Sequence, residues 1–264
     1  MITTDFMPGS PCWIEVSSPD VDVSGAFYRE VFGWEAAPPA PESGGYVLLR
    51  LDGAVVGGLH PRWTESERPT WTIYFADPDV DDTIITVERL GGTLLVEPFD
   101  VWNFGRTAQF FDPQGASFGL WQAERVPGIE VTDRPGSLCW VELWTPDGEG
   151  SREFYTRLFK WGVSDFELPG EAGTYTVLTP PGAGRERAHG GLMAVDPAHL
   201  SDNGGSAEWH PVFAVVDCDL AAERVRTAGG EVYMGPEHTP GVGRLAVCSD
   251  PFQAGFVLLQ PSPD

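Results

Sequence analysis

The side chains of this chain best suited to chemistry are two glutamates that stand among tryptophans. Trp140, Glu142 and Trp144 alternate with apolar residues, as side chains do along a β-strand, so all three would share one face. Trp13 and Glu15 stand in the same pattern near the start of the chain. Each half of the sequence thus predicts a strand with an aromatic and acidic face.

A carboxylate among aromatic rings can act as a general base, because burial raises its pKa. The alternative for Glu15 and Glu142 is a structural carboxylate, held by a backbone amide or by an arginine. Arg106 and Arg244 are the candidate partners, since both recur at equivalent points of the two halves. The duplication itself favours the structural role, because catalysis rarely needs two copies of one group.

His210 is the best single candidate for an acid or base, because imidazole titrates near neutral pH. It has no counterpart in the first half, where Thr72 or Trp71 stands. The alternative is a hydrogen-bonded wall residue of a strand. The other histidines are predicted in loops or at strand ends, without a special role: His60, His189, His199 and His238.

Composition excludes several classes of function. The formal net charge of −23 would repel phosphate backbones and anionic lipids, so neither nucleic acid nor a membrane is an expected partner. The chain has no apolar run long enough to span a bilayer and no signal peptide, and we expect a cytoplasmic protein. Its four cysteines include no CxxC pair, which favours buried thiols over a disulfide or a zinc site.

These candidates are carried by a repeated unit. Cys12–Val16 recurs as Cys139–Leu143, and Phe27–Trp34 recurs as Phe154–Trp161. Later motifs recur in the same order at a larger spacing, so the second copy has gained loop residues. We therefore predict a tandem duplication, with domains at 1–123 and 137–264 joined by a linker at 124–136.

Within each copy the patterns predict a strand, then a helix, then further strands, and this order occurs twice. Asp20 is placed to cap the first helix, and Asp52-Gly53 is a strong hairpin signal between two strands. Residues 60–69 read as a polar loop. Strands are predicted at 11–17, 45–51, 54–59, 70–76, 93–97, 106–111 and 116–122, and helices at 20–33, 78–90, 148–160 and 219–228.

This order of motifs resembles the vicinal oxygen chelate superfamily, which includes glyoxalase I, bleomycin-resistance proteins and extradiol dioxygenases. The resemblance rests on the strand, the aspartate and the helix carrying Phe27-Tyr28, and on the Asp-Pro-x-Gly turn at 112–115 before the last strand. It implies an α+β fold of four βαβββ modules, which form two tandem domains with cupped mixed sheets.

The resemblance also implies where a metal ion would bind, on inward-facing His, Gln and Glu of four strands. Counted from the motifs, those positions hold Trp13, Gly57, Thr72 (or Trp71) and Gly119 in the first half, and Trp140, Gly190, His210 and Val257 in the second. Indole, glycine and valine are not ligands for such cations. We therefore expect no metal and no other cofactor, and we disfavour a metal-dependent lyase or dioxygenase.

If the family geometry holds, the tryptophan and glutamate faces line a concave cup in each domain. Such a wall suits an apolar ring-bearing ligand, although the tryptophans could instead plug a cup that binds nothing. We predict Glu142 and His210 as catalytic residues in the second cup. The predicted ligand-binding residues are Trp13, Glu15, Thr72, Trp121, Trp140, Trp144 and Val257.

Three functions remain open at this point. The favoured one is a metal-free enzyme that tailors an aromatic or polycyclic secondary metabolite by cyclisation, isomerisation or elimination. The alternative is a binding protein that sequesters a drug-like compound, as bleomycin-resistance proteins do. The third is a degenerate scaffold that acts through its surface. The expected partner is a small molecule, and the protein could be a monomer or a homodimer.

Overall fold

The computed structural model of the chain describes residues 2–40, 42–65, 68–168 and 173–262, with the backbone but not the side chains of 201–203. The elements of the first half are β1 (Pro11–Ser18), α1 (Val21–Phe32), β2 (Glu35–Ala36), β3 (Val47–Leu51), β4 (Ala54–Pro61), β5 (Trp71–Ala76), α2 (Val80–Arg89), β6 (Thr93–Val101), β7 (Gly105–Phe111) and β8 (Ser117–Ala123).

The second half repeats this order. Its elements are β9 (Leu138–Thr145), α3 (Gly148–Phe159), β10 (Gly162–Glu167), β11 (Thr174–Thr179), β12 (Gly190–Ala194), β13 (Glu208–Ala214), α4 (Cys218–Thr227), β14 (Glu231–Thr239), β15 (Gly243–Ser249) and β16 (Gly255–Pro261). Short 3₁₀ segments lie at Arg185–Arg187 and Pro197–Asn203.

Each half forms one mixed eight-stranded sheet, which confirms the predicted α+β fold of four βαβββ modules. The strand orders are β2-β3-β4-β1-β5-β8-β7-β6 and β10-β11-β12-β9-β13-β16-β15-β14. The two sheets therefore have the same topology. Parallel pairing places Glu15 opposite Gly58 and Glu142 opposite Gly191, at equivalent points of the two sheets.

Local sequence signals account for the ends of the elements. Asp20, Asp79, Asp147 and Asp217 each accept a hydrogen bond from the amide three residues later, and so cap the four helices. The hairpin between β3 and β4 turns at Asp52-Gly53, where both residues have positive φ, as a two-residue type I′ turn requires.

Three local predictions need correction. His60 and Pro61 belong to β4, so the loop predicted from residue 60 begins at residue 62. Strand β6 runs on to Val101, four residues beyond its predicted end. The two-residue strand β2 was not predicted at all, because two exposed residues carry no periodic pattern.

Close contacts divide the chain into two compact units that do not coincide with the sequence halves. The first contains residues 1–13, 72–128 and 140–210, and its core includes Phe75, Phe118, Tyr155, Trp161 and Trp209. The second contains 14–71, 129–139 and 211–264, and its core includes Tyr28, Trp34, Trp71, Phe213 and Phe256. The boundaries 1–123, 124–136 and 137–264 stay a prediction.

The four cysteines are buried and free, as predicted, and burial raises the pKa of Cys139 to about 12. None of the helices in the described ranges is both long and apolar enough to cross a bilayer.

Candidate functional site

The first strand of each sheet has the two faces that its alternation predicts. Cys12, Ile14 and Val16 are fully buried against the helix side of the sheet. Trp13 is half-buried on the opposite face, which Glu15 shares by the pleat of the strand. The same alternation places Trp140, Glu142 and Trp144 together on β9.

The sequence analysis assigned Gly57 to the open face of β4, and this assignment was wrong by one residue. A Cβ on Gly57 would lie 2.7 Å from the carbonyl oxygen of Ile14, so Gly57 faces the core. A Cβ on Gly58 would instead collide with the hydroxyl of Tyr46. The same holds in the second half, where the position is Gly191 and not Gly190. A shift of one residue along a strand exchanges its faces.

Tyrosine side chains occupy the space that a side chain at these glycines would need. Tyr46 covers Gly58, and Tyr175 covers Gly191 in the same way. Tyr74 covers Gly119, which is its partner across β5 and β8. The sequence patterns did not single out these tyrosines. Tyr46 directly precedes β3, and Tyr175 lies at the start of the equivalent strand β11, so this pair recurs with the repeat.

In the second half, five side chains form what we call the second cluster: Trp140, Glu142, Trp144, Tyr175 and His210. The indole of Trp140 donates to the Tyr175 hydroxyl (2.8 Å), and that of Trp144 donates to Oε2 of Glu142 (2.9 Å). The rings of Trp144 and His210 are 4.4 Å apart. Burial and the neighbouring Glu142 carboxylate raise the pKa of Tyr175, so its hydroxyl stays a donor.

Arg106 and Arg244, the two candidate partners of the glutamates, pair with other carboxylates. Arg244 pairs with Asp219, at 2.6 Å and 2.7 Å. Arg106 pairs with Asp81 and Asp100. Glu15 accepts a hydrogen bond from the phenol of Tyr46, and Glu142 accepts one from the indole of Trp144.

In the first half, Glu15, Tyr46, His60 and Trp63 form what we call the first cluster. The Tyr46 hydroxyl donates to Oε2 of Glu15 (2.8 Å), and Nε2 of His60 lies 3.7 Å from Oε1. The imidazole stacks on the rings of Tyr46 and Trp63. Sequence reasoning dismissed His60 as a loop residue. The signal that could have found it is the period of two, which puts it on the face of Gly58.

The remaining predicted residues are more scattered. Thr72 is buried on the open face of β5, because its neighbour Trp71 packs in the aromatic core. Trp121 is half-buried and donates to the carbonyl of Val126 (2.8 Å). Val257 is buried in β16 opposite Val212 of β13.

A family model described as the Glyoxalase/Bleomycin resistance protein/Dioxygenase superfamily matches residues 12–120 and 137–258. The chain belongs to this superfamily. It is 36% identical over 273 aligned residues to the anthracycline biosynthesis protein DnrV of Streptomyces peucetius, covering 97% of this chain and 95% of that protein.

Solved structures of the superfamily share the fold. The 2,3-dioxygenase LapB from Pseudomonas sp. KL28 superposes with a TM-score of 0.66 at 14% identity, covering 97% of this chain and 94% of LapB. The Mn(II)-bound glyoxalase from Novosphingobium aromaticivorans superposes with a TM-score of 0.61 at 19% identity, covering 95% and 81%. At these identities the likeness shows the fold alone.

The residues of this superfamily member do not fit a metal centre of the kind that the family implies. Within the described ranges, no group of three or more His, Cys, Asp or Glu side chains is placed to hold an ion. The first cluster supplies one imidazole and one carboxylate, and so does the second. A stable site for such an ion needs about three or four donors.

Proposed function

We propose that this superfamily member binds a planar aromatic or polycyclic small molecule at the second cluster and converts it, without a metal, in secondary metabolism. The observation that carries this proposal is the arrangement around Glu142. The carboxylate is oriented by indole and phenol donors, has no arginine or lysine partner in the described structure, and lies beside an aromatic wall.

The relatives support the substrate class. DnrV is named for anthracycline biosynthesis, and anthracyclines are built on fused rings. Trp140 and Trp144 are both half-buried, so part of each indole remains open to a flat ligand. A well-placed aromatic contact contributes about 1 kcal/mol beyond simple burial.

The reaction that fits these groups is a proton transfer. Glu142 would accept a proton from an acidic C–H or O–H group of the ligand. His210 would donate a proton to the atom that gains the electron pair, which balances an isomerisation, a ring closure or an elimination. Trp144 contacts both residues and would keep the carboxylate and the imidazole in place.

The test begins with native mass spectrometry of freshly purified protein, which identifies a retained ligand. On the substrate so identified, Glu142→Gln and His210→Gln should each lower kcat by about a hundredfold or more while changing KM little. Trp140→Ala should raise KM. The matched controls Glu149→Gln and His199→Gln change exposed residues and should leave both constants unchanged. Unchanged kcat in both cluster variants would refute the catalytic assignment.

The second candidate is a protein that sequesters such a compound. The tyrosines over Gly58, Gly119 and Gly191 favour it, because they line the open faces with aromatic groups in place of metal ligands. A retained ligand that is recovered chemically unchanged after long incubation, with affinity insensitive to Glu142→Gln, would select this function over the enzyme.

A further inference from the structure

A buried histidine of the second half lies against the first residues of the chain. The side chain of His189 is 1% exposed, and neither ring nitrogen has a hydrogen-bond partner in the described part of the chain. Its ring meets that of Trp161 edge to face, at 5.1 Å between centroids. A cavity of about 10 Å³, the space of one water molecule, adjoins the imidazole. The other residues that line this cavity are Ile2, Thr3, Ser10, Pro11 and Arg187.

Residues 2–10, which we call the strap, cover one side of this cavity. The indole of Trp161 donates to the carbonyl oxygen of Gly9 at 2.9 Å. The guanidinium of Arg187 donates to the carbonyl oxygen of Asp5 at 2.6 Å and pairs with its carboxylate at 3.3 Å. Side chains of the second half therefore hold the strap over the buried imidazole.

The first half has an equivalent segment without a titratable group at this position. In residues 129–137 the carbonyl oxygen of Gly136 accepts a hydrogen bond from the indole of Trp34, at 2.7 Å. When the Gly-Gly-Leu motifs of the two halves are aligned, the residue that corresponds to His189 is Val56. Val56 is also 1% exposed. The imidazole thus stands where the other copy buries an apolar side chain.

A charge on this imidazole is unfavourable while the strap is closed. An imidazolium has two N–H donors, and no acceptor in the described structure reaches either nitrogen of His189. The charged groups around it are the guanidinium of Arg187, the carboxylate of Asp5 that pairs with it, and the amino terminus. Burial, and then the amino terminus, lower the pKa of His189 from 6.5 to about 3.

We propose that the strap is an acid-sensitive element, which protonation of His189 releases from Trp161 and Arg187. The closed form excludes the proton, whereas an imidazole freed by opening binds it with an ordinary pKa near 6.5. The closed form is therefore most favoured above pH 6.5, and its advantage is lost as the pH falls from there towards 3. This device does not depend on the reaction proposed for the second cluster.

Hydrogen exchange of the strap amides, measured by mass spectrometry on the full chain, reports the opening. After correction for the intrinsic pH dependence of exchange, the protection of residues 2–10 should fall on the order of a hundredfold between pH 7 and pH 4.5. His189→Val installs the residue of the first half and should abolish this fall. His189→Gln keeps a polar, uncharged side chain and should abolish it equally.

Two controls separate the strap from other acid effects. Residues 129–137 should respond to pH alike in the wild type and in both His189 variants. His199→Val replaces an exposed histidine and should leave the fall in the strap unchanged. Asp77 lies beside the strap and burial raises its pKa to about 6, but it is present in every chain, so the comparison cancels its effect.

Three results would each overturn the proposal. The first is protection of the strap that does not depend on pH in the wild type. The second is an undiminished fall in both His189 variants. The third is a fall of the same size in residues 129–137, because this would show unfolding of the whole chain and not release of the strap.

Discussion

Three tyrosine side chains, Tyr46, Tyr74 and Tyr175, cover glycines on the open faces of the sheets. Each fills the space beside a glycine, and two of them also orient a glutamate. Where a superfamily member with a metal centre needs a ligand side chain, this chain places a phenol from a neighbouring strand. A glycine is required beside each tyrosine, because a methyl group would collide with the hydroxyl of Tyr46 or Tyr175, or with the ring of Tyr74.

Replacing Gly191 by alanine tests this close packing. The new Cβ would occupy the position of the Tyr175 hydroxyl, so the tyrosine must move and release both Trp140 and Glu142. We expect Gly191→Ala to lower the free energy of unfolding by about 1–3 kcal/mol, as measured by urea denaturation.

The matched control is Gly25→Ala in α1. A Cβ there would lie 3.5 Å from that of Ala36, an ordinary contact, and alanine is the better helix former. This variant should be as stable as the wild type or more stable by up to about 1 kcal/mol. Equal stability of the two variants would contradict the proposed role of Tyr175.

At the scale of secondary structure elements, the helix motif with Phe-Tyr and the Asp-Pro turn motif are joined by hydrogen bonds. Tyr155 of α3 donates to Oδ2 of Asp112, in the turn before β8, at 3.0 Å. Tyr28 of α1 donates to Oδ2 of Asp250, in the turn before β16, at 3.1 Å. The helix motif of one half thus completes the turn motif of the other half, and each pair lies inside one compact unit.

The Asp112 carboxyl gives this contact a pH dependence. Burial raises the pKa of Asp112 from its ordinary value of 3.8 to about 6, against the opposing effect of its hydrogen bonds. Because the folded-state pKa is the higher one, the folded chain binds the extra proton between these two values. The contribution of Asp112 to stability is therefore complete below pH 3.8 and is lost as the pH rises through about 6.

Asp112→Asn should remove this dependence. The difference in unfolding free energy, variant minus wild type, should shift in favour of the variant by on the order of 2 kcal/mol between pH 4 and pH 7. Urea denaturation at a series of pH values measures it. Comparing the two chains at each pH cancels the titration of all other groups, including Asp250, whose pKa is also raised by burial. A constant difference across this range would show that Asp112 has an ordinary pKa.

Across the whole molecule, the two halves share the residues that hold the fold together but differ in the polar residues of the two clusters. The arginine pairs and the aspartate caps recur in both halves. Each cluster also contains one imidazole, but His60 lies on β4 and His210 on β13. Met193 and Thr72 stand at the corresponding positions of the opposite halves. The two clusters are therefore chemically different.

A prediction for the whole chain concerns metal content. Neither cluster combines enough donors for a stable divalent site, so protein dialysed against metal-free buffer should contain far less than one equivalent of iron, zinc, nickel or manganese. Elemental analysis measures this directly. A near-stoichiometric metal that survives dialysis would contradict the metal-independent function proposed for this chain.

Much of the fold could be predicted from the sequence because the decisive signals are local. The capping aspartates, the Asp52-Gly53 turn and the alternation along β1 and β9 each act within a few residues of the chain. Their recurrence in the same order identified the duplication and the superfamily. The alternation along β9 also predicted that Trp140, Glu142 and Trp144 share one face, and the structure places them there.

Only the tertiary structure decided which groups meet across strands. The choice of Gly58 over Gly57 depends on register, since a shift of one residue exchanges the faces of a strand. Tyr46 donates to Glu15, whereas Arg106 does not lie near it, because β3 and β4 follow β1 on one side of the sheet and β7 lies three strands away on the other side. His60 acquires its role in the same way. Contacts between residues far apart in sequence follow from packing, on which a local pattern carries no information.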